Sequence, residues 1–192
     1  FGNGPLAPAG GVDIAIVKRK PSSAALWSRA VGGLGTDAIR GLALDAQDDV
    51  LVLADAANGS VFGGSPVTCA VPTSAAMIAK YSSSGSHLFS KCLSGPTLEG
   101  NGLGVDTNGD LIVGGYFQGS SDFNGLVATS ASTAAFVAKF SGQTGAPLWV
   151  KSFTASQSSP SIEDAVSVGT DTYVVGRYYG TMTMGTTVLT SV

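Results

Sequence analysis

His87 is the only histidine in the chain, and it follows the turn Ser82 to Ser86. A Ser-His-Asp triad would have to use it, because the serine needs an imidazole to take its proton. No G-x-S-x-G elbow accompanies it, so a turn residue is the expected role. Neither H-E-x-x-H nor paired C-x-x-C motifs occur, which removes the familiar zinc sets. Asp106, Asn108 and Asp110 in "DTNGD" have the alternate oxygen spacing of calcium loops, without the downstream Glu of an EF-hand. Matching stretches hold Asp45, Asp48 and Asp49, and then Asp171. A hairpin turn is the simpler account, because Asp and Asn tolerate left-handed backbone. Calcium is the lesser expectation, and no other cofactor is expected.

Glycoside chemistry would need two carboxylates converging on one pocket. Asp37, Glu99, Glu163 and Asp164 precede candidate inner strands, and only that shared position links them. Trp27, Phe89 and Trp149 occupy one equivalent position. An aromatic there could stack on a sugar, but packing between repeated units is the preferred role for a large flat side chain. Tyr116, Phe117, Tyr178 and Tyr179 follow the second strand of their units and are the candidates for a ligand-binding rim. Cys69 and Cys92 are the only cysteines, and both belong to one unit. A disulfide between them is expected and would suit an oxidising compartment. The alternative is two small buried thiols.

The elements that must position these residues are short strands. Hydrophobic residues make up 44% and charged residues only 12%, with 27 glycines, a composition that favours strands and tight turns over helices. The net charge of −3 and a pI near 4.9 argue against a nucleic-acid or anionic-membrane partner, which would need a basic face. The one basic run, Lys18-Arg19-Lys20, sits at a strand end and reads as a solvated turn. No apolar stretch approaches the roughly 18 residues of a membrane span. The chain begins at Phe1 rather than Met, as expected of a processed or excised N-terminus.

Self-similarity dominates the sequence. Phe1, Phe62, Phe123 and Met184 head related stretches, each 61 residues after the last. Lys18, Lys80 and Lys139 each end an apolar run, and "GLALD" at Gly41, "GLGVD" at Gly102 and "AVSVG" at Ala165 complete the frame. Thr107-Asn108-Gly109 between apolar runs signals one hairpin, and "MIAKY" with "HLFSKCL" around the Ser82–Ser86 turn signals a second.

The expected fold is all-β: a propeller segment of about three four-stranded antiparallel repeats of roughly 61 residues. Residues 1–192 form one repeat region, with whole blades near 38–94 and 99–154 and half blades at 1–32 and 161–192. Three blade-equivalents do not close a ring. The rest of a longer chain, or other copies of this one, is therefore the expected partner for completion.

"FVAKF", "LWVKSF", "GLGVDTNGDLIVGGYFQG" and "SDFNG" together resemble the β-propeller repeats known as SBBP repeats. Such repeats occur in large secreted and surface proteins of bacteria, myxobacteria among them. The resemblance spans essentially the whole chain and weakens in the last unit, where "AVSVGTDTYVVG" loses both the Asp and the Asn-Gly turn. It implies a non-catalytic, extracellular or cell-surface module that binds a protein or carbohydrate partner, without nucleic acid and without membrane insertion. The alternatives are a propeller-based carbohydrate-active enzyme and a quinoprotein-like dehydrogenase fragment. "SGQTGAPLW" resembles the turns of the latter in one unit only.

Overall fold

The computed structural model describes every residue except 1–5, 8, 72–73, 158, 170 and 192, and only the backbone of Ser74. Phe1, the first repeat head, and the start of the 1–32 half unit therefore lie outside the described residues. The fold is all-β, as the composition and hairpin signals predict: 63% strand and no helix among the described residues.

Fourteen strands are formed among the described residues. β1 (Ile14–Arg19) and β2 (Ala25–Val31) make a hairpin. β3 (Ala38–Leu44), β4 (Val50–Asp55), β5 (Ser74–Tyr81) and β6 (His87–Gly95) follow as an antiparallel meander. β7 (Thr97–Val105), β8 (Leu111–Asp122), β9 (Val127–Phe140) and β10 (Pro147–Thr154) make a second. β11 (Ser161–Val168) pairs with β12 (Asp171–Arg177), and β13 (Thr181–Met184) pairs with β14 (Thr187–Thr190). The two meanders join into one antiparallel sheet that curls as a half-barrel. Among the described residues their ladder contact is the single pair Ser94↔Asp122.

Strands apolar on both faces lie between layers, because each face needs its own cover. In β4, Val50, Val52 and Ala54 enter one core with Ile14, Ile16 and Trp27 of the first hairpin. Leu51 and Leu53 point the other way, into a second core with Leu103, Val113 and the rings of Phe117, Phe123 and Phe136. A third core lies beyond β8 and β9, where Ile112 and Val137 meet Ile162 and Ala165 of β11. The layers thus stack in chain order.

The disulfide is present: Cys69, in the connection after β4, is bonded to Cys92 on β6, with 5.4 Å between their α-carbons. It ties the long β4–β5 connection to the far edge of its own meander.

Candidate functional site

The calcium-type spacing is occupied by lysine. Asp106 follows β7 and caps the turn, its Oδ1 accepting the N–H groups of Asn108 at 2.9 Å and Asp110 at 3.0 Å. Its Oδ2 lies 2.7 Å from Lys139 Nζ, and Asp110 Oδ2 lies 3.1 Å from the same ammonium. Asp110 Oδ1 accepts the N–H of Gly142. Asn108 donates its N–H to this turn, and both carboxylates are engaged by lysine and backbone, so the three residues do not form an open cation site. Burial pushes the Asp106 carboxyl up, but the Lys139 ammonium and the two backbone donors outweigh it and hold it below the usual range. No group of three or more His, Cys, Asp or Glu suited to a metal occurs among the described residues.

The first meander repeats the arrangement. Asp45 Oδ1 accepts the N–H groups of Gln47 and Asp49. Lys80 Nζ sits 2.7 Å from Asp45 Oδ2 and 3.4 Å from Asp49 Oδ2. Sequence reading saw the lysines and the aspartates as separate frame markers and missed that they meet. Lys80 also donates to the carbonyl of Gly142, in the next meander. Lys18 donates to the equivalent carbonyl, Ser83, but has no carboxylate partner among the described residues.

A second polar group gathers on β3, β7 and β11. The β3–β4, β7–β8 and β11–β12 ladders slip between Ile39 and Gly41, Gly100 and Gly102, and Ile162 and Asp164. Arg40, Asn101 and Glu163 are therefore the extra residues of three successive bulges, a device that re-aims side chains. Arg40 donates to Asp55 through Nε at 2.5 Å. Glu163 Oε1 lies 3.1 Å from Arg177 Nε. Asn101 Nδ2 donates to Ser161 Oγ at 3.0 Å. Glu99 faces Tyr116 across the β7–β8 ladder. Burial, then the hydrogen bond and charge of Glu99, push the Tyr116 hydroxyl up to about 12. Burial also raises the Asp55 carboxyl, against the pull of Arg40.

The remaining candidates separate. Phe117 is fully buried, edge-on to Phe123 and Phe136, and belongs to the core rather than to a rim. Tyr116 and Tyr178 are half-buried, and Tyr179 is exposed. Asp37 is buried and caps its own loop, accepting the N–H of Gly33 at 2.8 Å. Asp164 Oδ1 accepts the N–H of Ala165. His87 is half-buried rather than free in solvent, edge-on to Tyr81 with Nε2 3.3 Å from Ser90 Oγ. Burial and then the charge of Arg29 lower its pKa.

The repeated aromatic packs in all three positions, buried at two of them and half-buried at Trp149, which lies against the third core. Trp27 and Phe89 are buried. Each lies against a left-handed glycine in the next turn: a Cβ at Gly85 would meet the Trp27 ring at 2.7 Å, and one at Gly145 would meet Phe89 at 2.7 Å. Trp27 Nε1 donates to Ser83 O. Trp149 is only half-buried.

A cleft of about 1000 Å³ lies between β1 and the β3–β4 hairpin, walled by Ile14, Ile16, Leu42, Leu44, Val50 and Val52. No family model matches the chain, and no curated protein matches it.

Proposed function

We propose that the chain is a non-catalytic, extracellular or cell-surface β-propeller repeat module that presents one end of its strands to a protein or glycan partner. On this reading the two meanders are the blades near 38–94 and 99–154, and the terminal hairpins are the half blades at 1–32 and 161–192. The resemblance to SBBP repeats points the same way, and the disulfide suits an oxidising compartment.

The observation that carries the reading is the bulge-mounted row of Arg40, Asn101 and Glu163 with Asp55, Tyr116 and Arg177 beside it. It offers donors, acceptors and an amphipathic ring on three successive strand pairs, β3–β4, β7–β8 and β11–β12, which suits recognition of a hydroxylated or charged surface. Asp55 and Glu163 are each held by an arginine, which suits binding better than proton transfer.

The test is retention of the labelled chain on immobilised glycans, with Arg40→Ala/Tyr116→Ala as the control. Retention that the double substitution abolishes is expected. Retention indifferent to it, or turnover of nitrophenyl glycosides by the chain, would overturn the reading.

A further inference from the structure

We infer that the cleft between β1 and β3–β4 receives the β11–β12 hairpin of a second copy of this chain. β12 of one copy then pairs with β1 of the other, making one four-stranded sheet in the order β11–β12–β1–β2. The inference rests on the four-stranded repeat reading and names the partner that completes it.

The two terminal hairpins are complementary halves of the same unit. β11–β12 carries the bulge of the inner pairs, with Asp164 in the place of Gly41 and Gly102. β1–β2 carries the pairing of the outer pairs, with Lys18↔Trp27 matching Lys80↔Phe89 and Lys139↔Trp149. Among the described residues β12 pairs with β11 alone and β1 pairs with β2 alone, while Val12, ahead of β1, bridges to Thr36. The internal units supply the register. Lys80 faces Leu51 and Lys139 faces Ile112, which sets Lys18 opposite Tyr173 and Ile16 opposite Val175.

The surfaces left bare are those that such pairing covers. Leu42 is 64% exposed, whereas its counterpart Leu103, covered by the preceding unit, is 7% exposed. Leu44 beside it is also exposed, and so are Val166, Tyr173 and Val175 at the other end of the chain. Apolar strands with both an open edge and an open face are templates for further strand addition.

The polar contacts are incomplete in a matching way. Lys80 and Lys139 each hold two carboxylates, while Lys18 holds none among the described residues. Asp171 occupies the place of Asp49 and Asp110 and forms no ion pair among the described residues. In the proposed register it comes beside Lys18. At the same junction, the half-buried Trp149 meets the turn between β1 and β2. Ser23 there has the left-handed φ of 70° that its counterparts Gly85 and Gly145 adopt at 85° and 69°.

β1 to β12 amount to three four-stranded sheets, so two copies joined head to tail supply six, within the range of roughly 4–8 at which propellers close. Both junctions would be identical, and the contact closes on itself instead of extending into a filament.

Light scattering over a concentration series, up to about 1 mM chain, should find a species of twice 19.1 kDa. Lys18→Asp alone and Asp171→Lys alone should each weaken dimerisation by roughly tenfold or more, because each places like charges at both junctions. Mixing the two variants should restore the dimer, since both junctions then regain opposite charges. A monomer throughout the series, a larger open assembly, or a dimer untouched by either variant would overturn the inference. Amide hydrogen exchange distinguishes this failure from that of the underlying reading. If β3–β6 and β7–β10 are protected as two four-stranded units while the chain stays monomeric, only the inference falls. If they are not, the repeat reading falls with it.

Discussion

Lys80 Nζ stands 2.7 Å from Asp45 Oδ2, and the carboxylate side chain is fully buried. The same ammonium reaches the carbonyl of Gly142 at 2.9 Å, so one buried charge joins two hairpins of its own meander to a turn of the next. Removing one partner of a buried pair strands the other charge and costs about 3–5 kcal/mol, whereas replacing both is much milder. Lys80→Met should therefore lower stability by about 3 kcal/mol or more in a urea titration. Lys80→Met with Asp45→Asn should recover much of that loss. Equal losses in the two variants would show that the ion pair is not the source.

The aromatic positions should rank by burial. Trp27 is buried against Gly85 and Trp149 is half-buried, although the sequence treats them alike. In the isolated chain Trp27→Ala should cost about 3–5 kcal/mol and Trp149→Ala about 1–2 kcal/mol. Denaturant titration of both variants at low concentration checks the order, and a reversed ranking would count against the layer arrangement.

Acid should act in two stages. His87 has its pKa lowered, first by burial and then by Arg29, so its neutral form is favoured in the fold. The stability this contributes is complete above its ordinary value of about 6.5 and is lost as pH falls through the lower folded value. Asp45 and Asp106 are also lowered, so their contribution is complete above the ordinary carboxylate range and is lost as pH drops through their folded values. Asp55, raised by burial, works in the opposite sense. Thermal melts at descending pH should show a first decline that His87→Gln removes and a second that it leaves in place.

The disulfide closes a loop with a sequence separation of 23, for which chain entropy predicts about 3 kcal/mol. The unfolded, unreduced chain should show no reactive thiol. Cys92→Ser should lower stability by about that amount, with Cys69→Ser alike. Two labelled thiols in the unreduced chain would remove the bond.

The all-β fold was legible because hairpin signals are local: Asn108-Gly109 sits between apolar runs, and Gly109 adopts the left-handed φ of 78° that such a turn requires. The frame of the last unit was not fully legible. Sequence matching sets Ala165 beside Gly41 and Gly102, while the backbone puts Asp164 there. A bulge adds its residue without any marker in composition, so the row of Arg40, Asn101 and Glu163 stayed hidden as well. The lysine–carboxylate clusters were missed for another reason. Their members are far apart in sequence, 33 positions for Lys139 and Asp106, and meet only through the strand pairing between them. Phe117 was misjudged because the sequence reading placed it after the strand, whereas β8 runs on to Asp122 and Phe123 packs edge-on against the Phe117 ring.

Ser94↔Asp122 is the one strand-ladder pair between the two meanders among the described residues. Hydrogen-bond ladders resist shear collectively, while packed side chains slide past one another at small cost per step. Tension along the chain should therefore be taken up first at this seam, with each meander yielding as a block behind it. Cys69–Cys92 lies wholly within the first block, so the covalent staple stiffens one side of the seam and leaves the seam itself compliant.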